Sequence, residues 1–319
     1  MRALYNLPAP AKINWFLHVT GRRPDGYHTL QTVFQFIDWC DSLDLIRRDD
    51  GIIRRIGADE LPQDDLCVRA ARLLQEFAQC TQCASGVDIH LRKRIPQQAG
   101  LGGGSSDAAT VLIGLNRLWG LDLPRATLMQ IALRLGADVP LFIFGRNAWA
   151  EGVGEQLREI ELPTPIFAVV HPARGLSTRA VFCALDLTTP KHEETIAGFA
   201  EWLESSCSSC AGPQKGLGSL WGGNDLQAGA VMLEPLVGEV LERVGRWVGG
   251  ESALRFGARM TGSGSAVFAW VCPAAGVRNG ALGEASAQAS VRLADLPAGW
   301  QGRLCEGLRE HPLRGWVDA

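Results

Sequence analysis

The chain has 319 residues, 46% hydrophobic and 20% charged, and its 31 Lys+Arg against 34 Asp+Glu leave a formal net charge of -3. That apolar content excludes global disorder, the length favours two domains over a single core, and a charge so near neutral gives no general electrostatic ground for binding nucleic acid or an anionic membrane. No eighteen apolar residues run together, Pro8, Pro10, Lys12 and Asn14 interrupt the first twenty, and nine cysteines are an odd number; no spanning helix, no signal-peptide apolar region and reduced thiols in a cytoplasmic protein are therefore expected.

Residues 11–19, AKINWFLHV, alternate as a strand, with Lys12, Asn14, Phe16 and His18 on one face. Pro24-Asp25-Gly26 is turn chemistry, and residues 29–37 and 43–46 are expected as two further strands. Leu66, Ala70, Leu73, Leu74 and Phe77 recur at helical spacing over 64–78, and 87–91 alternates again, a mixture that suggests an α+β domain. After PQQAGLGGGSS at 96–106, Ala108, Val111, Leu112, Leu115 and Leu118 predict a helix. A second helix is expected over 125–135, with Gly136 ending it and Asp138 two residues beyond. The pattern breaks at ELPTP, residues 161–165, where a domain boundary is placed, dividing the chain into 1–162 and 163–319. Beyond it come a strand at 166–170, a Ser/Cys/Gly-rich loop or insertion at 205–223 and a helix over 232–248. A strand, tight turn and strand follow at 259–271, then a small-residue helix over 281–293.

Three features carry possible chemistry. Gly102, Gly103 and Gly104 let the backbone turn tightly and approach a ligand, and the free N–H groups of the following helix suit a phosphate. The same residues also read as a flexible connection. No Lys follows the last glycine, as a P-loop requires, and Ser105 stands where a dinucleotide fingerprint needs glycine. Lys12 sits mid-strand, which also fits a solvated edge, and Asp138 stands just past a helix end, where the dipole does not favour an anion and a surface carboxylate is equally at home. The pairs Cys80/Cys83 and Cys207/Cys210 lie too far apart for a zinc ribbon, the run from His90 to Arg94 reads as a solvated strand end, and His18, His171, His192 and His311 show no ligand spacing.

Taken together and in this order, Ala9-Pro10-Ala11-Lys12-Ile13-Asn14, Pro24-Asp25-Gly26-Tyr27-His28, GLGGGSSDAA, LGADVP around Asp138 and Met260-Thr261-Gly262-Ser263-Gly264 resemble the GHMP family of small-molecule kinases, from about residue 8 to about residue 271. The Tyr27-His28 and LGADVP motifs resemble the branch acting on a cytidine diphosphate-linked polyol rather than on mevalonate, homoserine or a sugar. The resemblance implies a two-domain fold, the N-terminal domain like the second domain of ribosomal protein S5 and the C-terminal one ferredoxin-like. It implies ATP-dependent phosphorylation of the tertiary 2-hydroxyl of a methylerythritol moiety, a step of non-mevalonate isoprenoid precursor biosynthesis, with Mg2+ expected but its ligands unassigned. Carried over residue by residue, it makes Asp138 the general base with Lys12 beside it. Pro96, Gly100, Leu101, Gly102, Gly103, Gly104, Ser105 and Ser106 would hold ATP. Asn14 would line the acceptor site; Tyr27 would stack on the cytosine, His28 hydrogen-bond it, and Thr178 and Phe182 close over it. Asn224-Asp225-Leu226 matches without an assignable role, and Gln98 stands where glycine is usual, so the first turn of the loop is expected to differ in shape. Neither nucleic acid nor membrane is an expected partner.

Overall fold

Alternating apolar side chains build two long strands before any helix forms. In the computed structural model, which describes residues 1–79, 85–185, 194–208, 221–248, 257–271 and 281–317, β1 (Ala3–Arg22) and β2 (His28–Arg48) pair antiparallel along their length. They join at the Pro24-Asp25-Gly26 turn, where Gly26 takes a φ of +89° and Asp25 accepts the Tyr27 N–H. Residues 29–37 and 43–46, expected as two strands, are thus one. Register shifts at Pro10/Ala11 and Asn14/Leu17 let the ribbon bend without breaking. The first shift also marks a change of core: Leu7 and Ala9 join one cluster, Ala11, Ile13 and Trp15 another.

β3 (Ile53–Ile56), α1 (Leu66–Gln79) and β4 (Gly86–Arg92) follow, then α2 (Gly103–Trp119), α3 (Arg125–Leu133), α4 (Val139–Phe144), β5 (Ala148–Glu151) and β6 (Gln156–Glu159). Together with β1 these strands form a six-stranded sheet of order β3-β4-β2-β5-β6, with β1 along β2. Helices cover one face, where Phe36, Leu43 and Leu45 meet Leu74, Val111, Leu115 and Phe142.

The rest of the chain contributes β7 (Ile166–His171), α5 (Thr178–Cys183), α6 (Ile196–Ser208), α7 (Gln227–Leu233), α8 (Leu236–Gly245), β8 (Arg259–Met260), β9 (Val267–Val271), α9 (Ala281–Ala294) and β10 (Gln301–Glu306). The antiparallel order β10-β7-β9-β8 is the 4-1-3-2 arrangement of a βαββαβ unit, the ferredoxin-like topology. The expected helix over 232–248 is broken at Glu234-Pro235, because proline lacks the donor a continuous helix needs there. The start of the 205–223 segment continues α6; residues 209–220, the Cys80/Cys83 pair, Cys210, His192 and the side chain of Cys207 lie outside the described residues. Cys40, Cys67, Cys183 and Cys305 are free thiols. Among the described residues no helix is long and apolar enough to cross a membrane.

Period-two alternation in β7 joins the two sheets. Ala168 and Val170 pack under Val240, Val244 and Ala289, whereas Phe167 and Val169 face Ile13 and Trp15 of β1. Trp15 sits edge-on to Phe167, Phe199, Trp202 and Trp270 with ring centroids 5.5 to 6.1 Å away, and its indole N–H donates to Gln35. After β10 the chain returns to the first sheet: Leu308 donates to the Phe36 carbonyl at 2.8 Å, and Leu313 and Val317 enter the first core.

At Gly114, α2 lies so close to the β1–β2 ribbon that an added Cβ would stand 2.5 Å from Leu45 Cδ1 and 2.9 Å from Leu7 Cδ1. Gly114→Ala gains about 1 kcal/mol of helix propensity against an overpacking cost of ~1–3 kcal/mol. Both leucines are buried, so the second effect wins. A lower urea midpoint with unchanged slope is expected, a loss of about 1 kcal/mol; a raised midpoint means the helix and ribbon are not in this contact.

Candidate active site

Lys12 and Asn14 occupy the polar side of β1, but this strand is covered, not at a solvated edge, and Lys12 is only 3% exposed. Its ammonium therefore depends on partners. Nζ donates to Asn14 Oδ1 at 2.7 Å, stands 3.9 Å from Asp138 Oδ2 and lies 5.3 Å from the centre of the Phe34 ring. Asn14 is oriented in turn: Nδ2 donates to Thr32 Oγ1 at 2.8 Å, and its N–H donates to Thr261 Oγ1 at 2.9 Å from the second unit. Burial pushes the Lys12 pKa down, with Asp138 working against the shift.

Asp138 is not simply past a helix end. It is the residue from which α4 starts, so it meets the N-terminal rather than the C-terminal end of a helix, and the dipole expectation does not apply. Its carboxylate makes no capping bond and is 41% exposed, open to the cleft in front of Lys12.

The glycine loop is shaped by protein as much as by any ligand. Gln98 takes a left-handed φ of +51°, the conformation a glycine there would adopt, so the departure in residue type leaves the backbone shape glycine-like. Gly100 and Gly102 follow at +74° and +72°. A Cβ on Gly100 would stand 2.1 Å from the Thr261 carbonyl oxygen, so loop and Thr261-Gly262-Ser263-Gly264 turn stack backbone on backbone. Ala266 N–H donates to the Ala99 carbonyl and Leu176 N–H to that of Gln98, both at 3.0 Å, tying the loop to the second unit. A Cβ on Gly103, by contrast, would meet Ile95 at 3.0 Å and Lys93 Nζ at 3.3 Å. With Gly102 at the cap and no side-chain cap bond, the first N–H groups of α2 stay available for an anion. Ser105 lines the cleft. Ser106 is fully buried inside α2 and does not.

Beneath the loop, Lys93 of the basic run turns inward, between Asp41 and Asp107 (2.7 Å), while Asp41 also accepts the N–H groups of Arg94 and Ile95. Burial alone would lower the Lys93 pKa, but the two carboxylates outweigh it and hold it raised; burial pushes Asp107 upward, against the pull of Lys93. Arg92 pairs outward with Asp44 at 2.8 Å.

A cleft of about 1340 Å³ opens between the two units, lined by Lys12, Asn14, Tyr27, His28, Pro96, the loop from Gly100 to Ser105, Asp138, Thr178 and Phe182. In the same cleft, His28 and Phe182 stack across the units, centroids 5.1 Å apart and planes 21° from parallel. Tyr27 stands beside them, 65% exposed, and Thr178 shares a 2.8 Å hydrogen bond with Ser263. Burial, then the nearby Arg22, lowers the His28 pKa, which favours a neutral ring with one donor and one acceptor nitrogen.

Several supporting residues were not assigned from sequence. Asn224 Nδ2 donates to the Met260 and Gly262 carbonyls at 2.8 and 2.9 Å, and Asp225 accepts the Val19 N–H at 2.7 Å, so the matched Asn224-Asp225-Leu226 stretch ties the Thr261 turn to β1. Thr32 and Asp41 lie in no local motif, and Thr261, although within a matched motif, was given no role; the pairing of distant strands brings them here.

Residues 65–146 match the GHMP kinases N terminal domain. The chain is 47% identical over 320 residues to 4-diphosphocytidyl-2-C-methyl-D-erythritol kinase of Variovorax paradoxus, covering 99% of this chain and 100% of that protein. It is 48% identical to the protein of the same name from Paracidovorax citrulli, covering 99% of each. A crystal structure of 4-(cytidine 5'-diphospho)-2C-methyl-D-erythritol kinase superposes with a TM-score of 0.73 at 32% identity, over 94% of this chain and 98% of that one. With such identity along nearly its whole length, the chain belongs to the 4-diphosphocytidyl-2-C-methyl-D-erythritol kinase family of the GHMP kinases.

Proposed function

We propose that this protein transfers the γ-phosphoryl group of ATP to the tertiary 2-hydroxyl of 4-diphosphocytidyl-2-C-methyl-D-erythritol, in non-mevalonate isoprenoid precursor biosynthesis. The observation that carries the reading is one cleft lined by three parts: the glycine loop, the Lys12–Asp138 pair and the His28–Phe182 stack. Open N–H groups at the start of α2 bind the phosphates. Asp138 takes the proton of the 2-hydroxyl, the oxygen forms a bond to the γ-phosphorus, the bond to the β-phosphate oxygen breaks, and ADP leaves. Lys12, packed on the loop through its N–H bond to Leu101, supports the developing negative charge from a nearly buried position on the cleft wall. Asn14 fixes the ammonium and faces the acceptor. The cytosine is taken by the Tyr27, His28, Thr178 and Phe182 group, where neutral His28 offers both hydrogen-bonding polarities.

Mg2+ is expected to accompany ATP, neutralising phosphate charge. Among the described residues no group of three or more His, Cys, Asp or Glu side chains is arranged to hold a metal ion. The same reading puts the domain division between residues 162 and 163, supported by a six-stranded sheet that ends at Glu159 and a second that starts at Ile166. It also puts the protein in the cytoplasm, with small molecules rather than nucleic acid or membrane as partners, supported by the free thiols and the near-neutral charge.

A coupled ADP-release assay tests the substrate: turnover is expected with the cytidine diphosphate-linked polyol and not with mevalonate or homoserine, and the reverse pattern overturns the proposal. Asp138→Asn is expected to retain ATP binding while turnover falls by roughly a hundredfold or more, the range for a positioned base; wild-type turnover would remove Asp138 from proton transfer. The lowered His28 pKa sets a pH window. Neutral His28 persists through neutral pH and becomes charged only below the ordinary histidine value of about 6.5, so KM for the cytidylyl substrate should rise on acidification below that point. KM for ATP should not follow it, and His28→Gln should flatten the dependence.

A further inference from the structure

Helix α4 brings Asp138 to the cleft but gives its carboxylate little to hold. No side-chain cap bond forms, and among the described residues the one ion pair is the 3.9 Å approach of Lys12. The position of the carboxylate is thus set by the position of the helix. Six residues at roughly 1.5 Å rise make a rod of about 9 Å, so movement at one end is transmitted to the other.

The far end of that rod is held from outside. Arg125, the first residue of α3, donates through Nη1 to the carbonyls of Ile143 and Phe144 and through Nη2 to those of Arg314 and Val317, the last two at 3.0 and 2.9 Å. A cation at the carbonyl end of a helix is favourable, and the forked guanidinium reaches two chain segments at once. Gly145 closes α4 with a φ of +73°, and its carbonyl accepts the His311 N–H at 3.0 Å. The His311 ring packs edge-on against Phe36 and Phe142, and its Nδ1 accepts the Leu313 N–H at 3.1 Å. Burial, with Arg125 nearby, pushes His311 down to about 3, so the ring stays a neutral acceptor. The returning segment is anchored independently: Asn147 Nδ2 donates to the Leu308 carbonyl at 2.8 Å, and Arg146 pairs with Glu310 at 3.4 Å.

We propose that Arg125 and residues 307–317 are positioning elements of phosphoryl transfer, clamping the carbonyl end of α4 so that Asp138 stays within reach of Lys12 and the acceptor hydroxyl. This rests on Asp138 being the base. None of these groups touches a reactant; they act through the helix.

A double-mutant cycle with Arg125→Met and Asp138→Asn, measured by steady-state ADP release, tests it. Arg125→Met is expected to lower kcat about ten- to a hundredfold while KM for ATP and for the cytidylyl substrate changes less than about threefold; in the Asp138→Asn background it should cost less than about twofold, because the group it positions is already gone. Arg125→Lys should recover part of kcat. An equal loss in both backgrounds overturns the proposal, as does unchanged kcat per folded enzyme. If Asp138→Asn alone leaves turnover intact, the base assignment itself fails, a result distinct from either. Should Arg125→Met not fold, His311→Phe, which keeps a ring between Phe36 and Phe142 but loses the bond to Leu313, carries the same cycle with the same outcomes.

Discussion

The arrangement depends on keeping one ammonium ion out of water. A lysine buried as deeply as Lys12 survives as a cation only where opposite charge and oriented acceptors offset the lost hydration. Its partners come from separate places: Asn14 from its own strand, Asp138 from the start of α4, the Phe34 ring from β2. Asn14 is turned toward Nζ by Thr32 from the first sheet and Thr261 from the second unit. The charge therefore reports on the registration of both halves. It also remains usable, since neither Asn14 nor the partly exposed Asp138 neutralises it in a tight ion pair.

The second constraint is backbone proximity. Gly100 and Gly262 lie where loop and turn touch, and a Cβ at either would enter the other segment, at 2.1 Å from the Thr261 oxygen or 2.8 Å from the Gly100 oxygen. These glycines let loop and turn lie backbone on backbone, and that contact fixes where the open N–H groups at the start of α2 stand. The Lys93, Asp41 and Asp107 group then supports the loop from below. It joins the strand end after β4 to α2 at Asp107, so the loop is braced at both ends by a cleft-lining lysine whose charge is already paired.

How far the sequence foretold this differs by element. Periodicity located most helices and strands within a few residues, because a face of Leu and Val at helical spacing, or an alternating run such as 87–91, leaves few alternatives. It split β2 in two, since the bulged middle of a bent ribbon loses clean alternation, and it merged α7 with α8, although Pro235 stood in plain view. Local chemistry singled out the glycine loop. For Lys12 and Asp138 the residues alone left edge strand and surface loop open, and only the order of motifs along the chain suggested a pair. The burial of Lys12, the role of Asn224, the inward turn of Lys93 and the clamp on α4 were invisible beforehand, because each depends on segments brought together from more than 30 residues away.

The return of residues 307–317 to the first sheet has a bearing on how the chain acquires its form. Leu313 and Val317 complete a core whose other members are synthesised within the first half of the polypeptide. On the ribosome, the N-terminal half must wait with an unfilled seam until the last stretch emerges, and the contacts that seal it span some of the greatest sequence separations in the molecule. Such contacts slow folding and leave apolar surface uncovered meanwhile. The first unit is therefore not finished until the chain beyond the second unit's last strand has emerged.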